Sequence, residues 1–110
     1  MKAMIRTLTR LLRARFQRAQ KPRRFPTARD MYQIREAMLS AMNDCESSGA
    51  DRLRQRLYQA RAPQELWLLR NDIYQLVSQR HSQSEAAQRI NALMPVFEGW
   101  VDAKQLLRIK

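Results

Sequence analysis

Apolar residues recur along most of this chain three and four positions apart, the spacing that gathers them on one side of an α-helix, and no stretch alternates convincingly as a strand. In the first such run Met4, Ile5, Leu8, Leu11, Leu12 and Phe16 fill an arc of roughly 140° on a helical wheel. Lys2, Arg6, Arg10 and Arg13 cluster opposite, while Arg15 falls among the apolar positions and has to carry its guanidinium outward on its aliphatic stem. "KPRRFP" follows, where Pro22 and Pro26 stop helix propagation on either side of Arg23, Arg24 and Phe25, which predicts an extended linker.

"TARD" starts a second helix, with Thr27 as the cap and Asp30 as the acid of a capping-box-like pattern. Met31, Ile34, Met38, Ala41, Met42 and Cys45 share one face of it, and "ESSGA" is the expected end. A third helix is expected over Asp51–Arg61 with Leu53 and Leu57 inward. A fourth restarts at Ala62-Pro63-Gln64-Glu65, with Pro near the first helical position and an acid in the first turn. It buries Leu66, Leu69, Ile73, Leu76 and Val77, with Trp67 and Tyr74 on its flank and Leu68 out of register. Ser82 and Glu85 form an S-x-x-E capping box for a fifth helix, whose inward face is Ala86, Ile90, Leu93, Met94 and Phe97, bent or broken at Pro95. The tail "DAKQLLRIK" reads as a last half-turn or a frayed end.

These elements predict an all-α fold: a small four- to five-helix bundle with an N-terminal basic amphipathic helix. The expected organisation is residues 1–26 as that helix and its Pro-bracketed linker, 27–103 as the bundle, and 104–110 as a short tail. A chain of 110 residues sustains one modest core, and the scarcity of Gly and Pro suits helices better than disorder.

"SEAAQRINALMPVFEGWV" resembles a bacterial helix-turn-helix segment, with Ala87 as the small residue of the first helix, Asn91 in place of the usual turn glycine, and Phe97 and Trp100 as inward anchors. The resemblance implies a second helix that reads bases. Met94, Val96, Glu98 and Gly99 would then face the base edges, where polar or basic side chains are needed, so a Pro-kinked core helix is the preferred expectation.

Charge changes the picture by its distribution. Residues 1–29 hold ten Lys and Arg and no acid, whereas residues 30–110 hold eleven basic and ten acidic residues, so a basic arm precedes a nearly neutral body. One cysteine, Cys45, excludes an internal disulfide and is expected as a buried small hydrophobe in a reducing, cytoplasmic chain. No segment has the length and apolarity of a membrane span, and Arg interrupts every apolar run where a secretory signal would need one.

Candidate catalytic chemistry is sparse. His81 has no His or Cys at ligand spacing, phosphate-loop and nucleophile-elbow motifs are absent, and two glycines cannot build a glycine-rich cradle. The expectation is therefore a non-enzymatic protein without cofactor or metal. The three methionines of the second helix are expected in the core rather than as an adaptable groove.

Four readings of the arm compete. An Arg-rich helix suits phosphate, because the planar guanidinium donates two hydrogen bonds at once. The same amphipathicity suits an anionic membrane surface, although Trp is missing and Arg15 sits in the face that would enter lipid. A cleaved organelle-targeting presequence would be amphipathic, Arg-rich and acid-free, but this arm has no serine. In the last, Leu8, Leu11, Leu12 and Phe16 dock on the body or on an acidic protein partner, with the basic face left to water. Of these, a polyanion, and first of all nucleic acid, is the expected partner, contacted largely without sequence specificity through Arg6, Arg10, Arg13, Arg18, Arg23 and Arg24. Arg29, Arg52, Arg54 and Arg56 would extend the footprint.

Overall fold

The computed structural model describes residues 25–107 and 109, and every regular element within them is helical. The expected arm helix therefore lies outside the described residues. Thr27 starts α1 (Ala28–Ala41): its hydroxyl accepts from the Asp30 N–H at 3.1 Å while the Asp30 carboxylate accepts from the Thr27 N–H at 2.9 Å. This reciprocal box satisfies two of the donors that a helix start leaves free. Met31, Ile34 and Met38 turn inward, as their spacing predicts. The helix stops at Ala41, so Met42 and Cys45 are buried in the connection rather than on the helix face expected for them.

Ser47, Ser48 and Gly49 begin a helix instead of ending one. Ser47 caps α2 (Ser48–Gln59), its Oγ accepting from the Ala50 N–H at 3.0 Å, and the start moves forward from the expected Asp51. A serine hydroxyl that accepts from a first-turn N–H stabilises a helix start, which outweighs the breaker reading of Ser and Gly. Ala50, Leu53 and Leu57 form the buried face.

The fourth helix divides into α3 (Pro63–Leu68) and α4 (Arg70–Arg80). Pro63 begins α3, and Glu65 accepts the Arg61 N–H at 2.9 Å. At the step, Leu69 donates its N–H to the Leu66 carbonyl at 3.0 Å, a tightened three-residue closure that rotates α4 relative to α3. The rotation sends Leu66, Trp67, Leu69, Ile73 and Val77 inward together. Trp67, expected on the flank, is 2% exposed, whereas Leu68 is 67% exposed and Leu76 only half-buried.

Ser82 caps α5 (Gln83–Phe97) by accepting the Glu85 N–H at 3.0 Å. The Glu85 carboxylate accepts from Arg89 at 2.9 Å, so the box is built on its serine side and its acid serves another partner. The helix runs through Asn91 and Pro95 to Phe97, which removes the turn that a helix-turn-helix would require at Asn91. Proline is tolerated there because only the last turn lies beyond it. Gly99, at φ 93° in the left-handed region that favours glycine, then reverses the chain so that Val101 is buried. A single 3₁₀ turn (Ala103–Gln105) follows, capped by Asp102.

Four helical rods (α1, α2, the stepped α3–α4, and α5) enclose one core, with the most extensive packing between α4 and α5. The Trp67 and Phe97 rings meet at its centre, 4.9 Å apart and tilted by 57°, an edge-weighted aromatic contact. Met31, Met38 and Met42 are buried in the same core, as expected for them.

The step at Leu69 makes two neighbouring residues opposite in consequence. Trp67→Ala should cost about 3–5 kcal/mol of unfolding free energy by opening a central cavity, and Leu68→Ala should change it by no more than about 0.5 kcal/mol. Urea titrations followed by far-UV circular dichroism would measure both, and equal losses would contradict the step.

Candidate functional site

Helix ends leave carbonyl groups without intrahelical donors, and in this chain arginines from elsewhere supply them. Arg35 of α1 donates to the carbonyls of Leu57 at 2.9 Å and Ala60 at 3.0 Å, closing the end of α2. Arg54 of α2 donates to Met42 at 3.2 Å and Cys45 at 2.6 Å, just beyond the end of α1, and to the Asp51 carboxylate at 3.2 Å. Arg89 of α5 reaches the Ala41 carbonyl at 3.2 Å. Arg70 donates to the Trp67 carbonyl at 2.9 Å with its guanidinium 4.0 Å above the Trp67 ring. A cation at a helix carboxyl end is also favoured by the helix dipole.

The densest polar cluster joins the α1–α2 connection to α4 and α5. Arg89 grips Asp44 with both terminal nitrogens, at 2.7 and 2.9 Å, and Glu85 at 2.9 Å. His81, the residue that ends α4, donates from Nε2 to Asp44 Oδ2 at 2.6 Å, an oxygen it shares with Arg89, because a carboxylate can only accept. The hydrogen bonds from Arg89 and then His81 hold the Asp44 carboxyl well below the usual carboxylate range, and Asp44 in turn raises the Arg89 guanidinium above its ordinary value. Cys45 beside it is buried, and burial, reinforced by the Asp44 charge, pushes its thiol up and away from the reactive thiolate. The cluster is thus a clasp between chain segments, and His81 has a bond to make in it.

The six arginines expected to contact a polyanion, Arg6, Arg10, Arg13, Arg18, Arg23 and Arg24, lie outside the described residues. Of the expected extensions, Arg54 is committed to Asp51 and two carbonyls, and Arg56 pairs with Asp72 at 3.3 Å across α2 and α4. Arg29 and Arg52 are exposed. Phe25, Arg29 and Tyr32 are exposed where the arm enters the body, with Arg29 and Tyr32 one turn apart on α1. This alternation of aromatic and guanidinium groups suits an unpaired base and its phosphate. Sequence spacing pointed to the arginines but not to Tyr32, whose exposure follows from which face of α1 is buried.

No family model, no curated protein and no solved structure matches this chain. The functional reading therefore rests on the chemistry of its own residues. Among the described residues no three His, Cys, Asp or Glu side chains converge as a metal site needs, and no helix is long and apolar enough to cross a membrane.

The Asp44 clasp carries a defined pH dependence. Its carboxyl is more acidic folded than unfolded, so its stabilisation is complete above the ordinary carboxylate pKa of about 4 and fades as pH falls below it. Asp44→Asn should therefore melt at a lower temperature than the parent at pH 7, with the gap narrowing steadily between pH 4 and the most acidic conditions that sustain folding. A gap that is constant with pH would remove the carboxylate as its cause.

Proposed function

We propose that this chain is a small helical binding protein whose Arg-rich N-terminal segment contacts a polyanion, nucleic acid first, largely without sequence specificity. One observation carries the reading: the division of charge between arm and body. The described residues hold ten Lys and Arg against ten Asp and Glu, and Arg35, Arg54, Arg56, Arg70 and Arg89 are engaged with carbonyls, carboxylates or a ring. Residues 1–24 hold nine Lys and Arg and no acid. In the proposed reading this segment forms the basic amphipathic helix and its linker, and phosphates replace the small counterions that otherwise surround it. Phe25 and Tyr32 add stacking surface where the segment meets α1, which favours single strands with accessible bases.

Affinity of the full chain for a single-stranded oligonucleotide should fall steeply with salt. Replacing Arg6, Arg10, Arg13, Arg18, Arg23 and Arg24 together by Gln should flatten the log–log salt slope by about 4, at about 0.7 per lost phosphate contact. Tyr32→Ala should weaken binding by about 1–3 kcal/mol if a base stacks there. Phe16→Ala should leave oligonucleotide binding intact; if it instead abolishes attachment to anionic vesicles while the oligonucleotide does not bind, the membrane reading replaces this one. Fluorescence anisotropy across a salt series, with vesicle co-sedimentation in parallel, separates the two.

A further inference from the structure

A groove of about 430 Å³ runs between the α3–α4 step and a strap formed by residues 103–107 and 109. Its apolar lining comes from Trp67 and Leu68 on α3, Ile90 on α5, and Leu107 and Ile109 on the strap. Its charged lining is Arg70 and Lys104, with no carboxylate among the lining residues. The volume lies within the range of small-molecule sites, and a few polar groups set among apolar walls is the usual make-up of such sites.

The strap is held by a device that the core does not need. Asn91, inside α5, donates its side-chain amide to the Ile109 carbonyl at 2.9 Å and accepts the Ile109 N–H at 2.8 Å. This two-bond clasp substitutes for a strand pairing and fixes the wall that carries Lys104 and Leu107. Leu107 is left 74% exposed and Leu68 67% exposed, so the groove is rimmed by large apolar side chains facing water.

Arg70 distinguishes the groove from an ordinary surface crease. Among the described residues no carboxylate pairs with it. One of its N–H groups donates to the Trp67 carbonyl, and the guanidinium carbon sits 4.0 Å from the centre of the indole. Partial burial pulls its pKa down from the ordinary value, the mark of a cation short of compensating charge. A guanidinium held by one hydrogen bond and a cation–π contact, with N–H groups to spare, is prepared for a planar carboxylate.

We propose that this groove binds an anionic amphiphile, a carboxylate on an aliphatic chain, with the head between Arg70 and Lys104 and the chain along Leu68, Ile90 and Leu107. The positive lining disfavours the chain's own basic segment as occupant, and the limited volume favours a small molecule over a protein helix. This site is separate from the polyanion contact proposed for residues 1–24, and each stands or falls without the other.

Trp67 provides the probe. In full-length protein carrying Trp100→Phe it is the sole indole, since the chain has only two. Decanoate below its micellar range should change the Trp67 emission saturably, and decanol and decyltrimethylammonium should do so at least about tenfold more weakly, about 1.4 kcal/mol. Arg70→Gln and Lys104→Gln should each weaken decanoate by several-fold, and Lys104 is exposed enough for its replacement to leave the fold unchanged. Asn91→Ala should weaken it too, by freeing the strap while both cations remain. Equal response to decanol would reduce the groove to a greasy crease and overturn the proposal. Undiminished binding in the Arg70→Gln, Lys104→Gln double variant would move the anion site to the basic segment and overturn it as well. So would an inert response to decanoate alongside saturable binding of an acidic helical peptide.

Discussion

Carbonyl groups at helix ends must find donors, and this fold meets that constraint with arginine side chains that cross between elements. The end of α1 carries no basic residue in its own last turn, and its backbone cap at Met42 reaches only the Leu39 and Ser40 carbonyls, so the carbonyls beyond them take their donors from other helices. Arg54 and Arg89 converge on the end of α1 from two other helices, and Arg35 reaches from α1 to the end of α2. Each such bond fixes the height of one helix against another, which hydrophobic contact alone does not do. Removing one of these arginines would leave helix-end carbonyls short of donors and at the same time free a carboxylate such as Asp44 from its partner.

The same constraint decides what the charges mean. An arginine count is ordinarily read as surface potential, yet the arginines of α1, α2 and α5 that make these bonds are half-buried structural donors. Two of them have acids beside them, Asp51 for Arg54 and Asp44 with Glu85 for Arg89, and the exposed Arg56 pairs with Asp72. The described residues balance in number, ten Lys and Arg against ten Asp and Glu, and most of the surplus of positive charge belongs to the residues that precede them.

Features that depend on a few neighbouring residues were legible in the sequence. Thr27 with Asp30, Pro63 with Glu65, and Ser82 cap helices where the spacing put them, and the inward faces of α1 and α5 follow their period. Features that depend on distant partners were not. Nothing near Trp67 announces that a tightened turn at Leu69 will rotate it into the core against Phe97, thirty positions away. Asp44, His81 and Arg89 come together only after α1, α4 and α5 have packed, and of that cluster only the Glu85–Arg89 pair has helical spacing. Asn91 is visible as a polar residue within an apolar helix, and only the helix-turn-helix resemblance gives it a role, as a turn; its partner, the Ile109 backbone, lies across the fold. The candidate site divides in the same way, since the basic segment is written in consecutive residues whereas the Arg70 groove needs three separate parts of the chain.

Whether the basic segment could instead be neutralised from within is a question about the remaining acids. Asp30, Glu65 and Asp102 accept N–H groups at the starts of their own turns, and Asp44, Asp51, Asp72 and Glu85 are already paired with arginines of the body. Glu36, Glu46 and Glu98 are exposed, but they stand on α1, on the α1–α2 connection and beyond α5 respectively, dispersed over three parts of the body. Three scattered carboxylates against nine cations leave most of the charge uncompensated by the chain itself. Exposed pairs of this kind contribute little in any case, about 0–1 kcal/mol each. That imbalance is what the proposed polyanion would offset, since the acids of the body are few, scattered or already engaged.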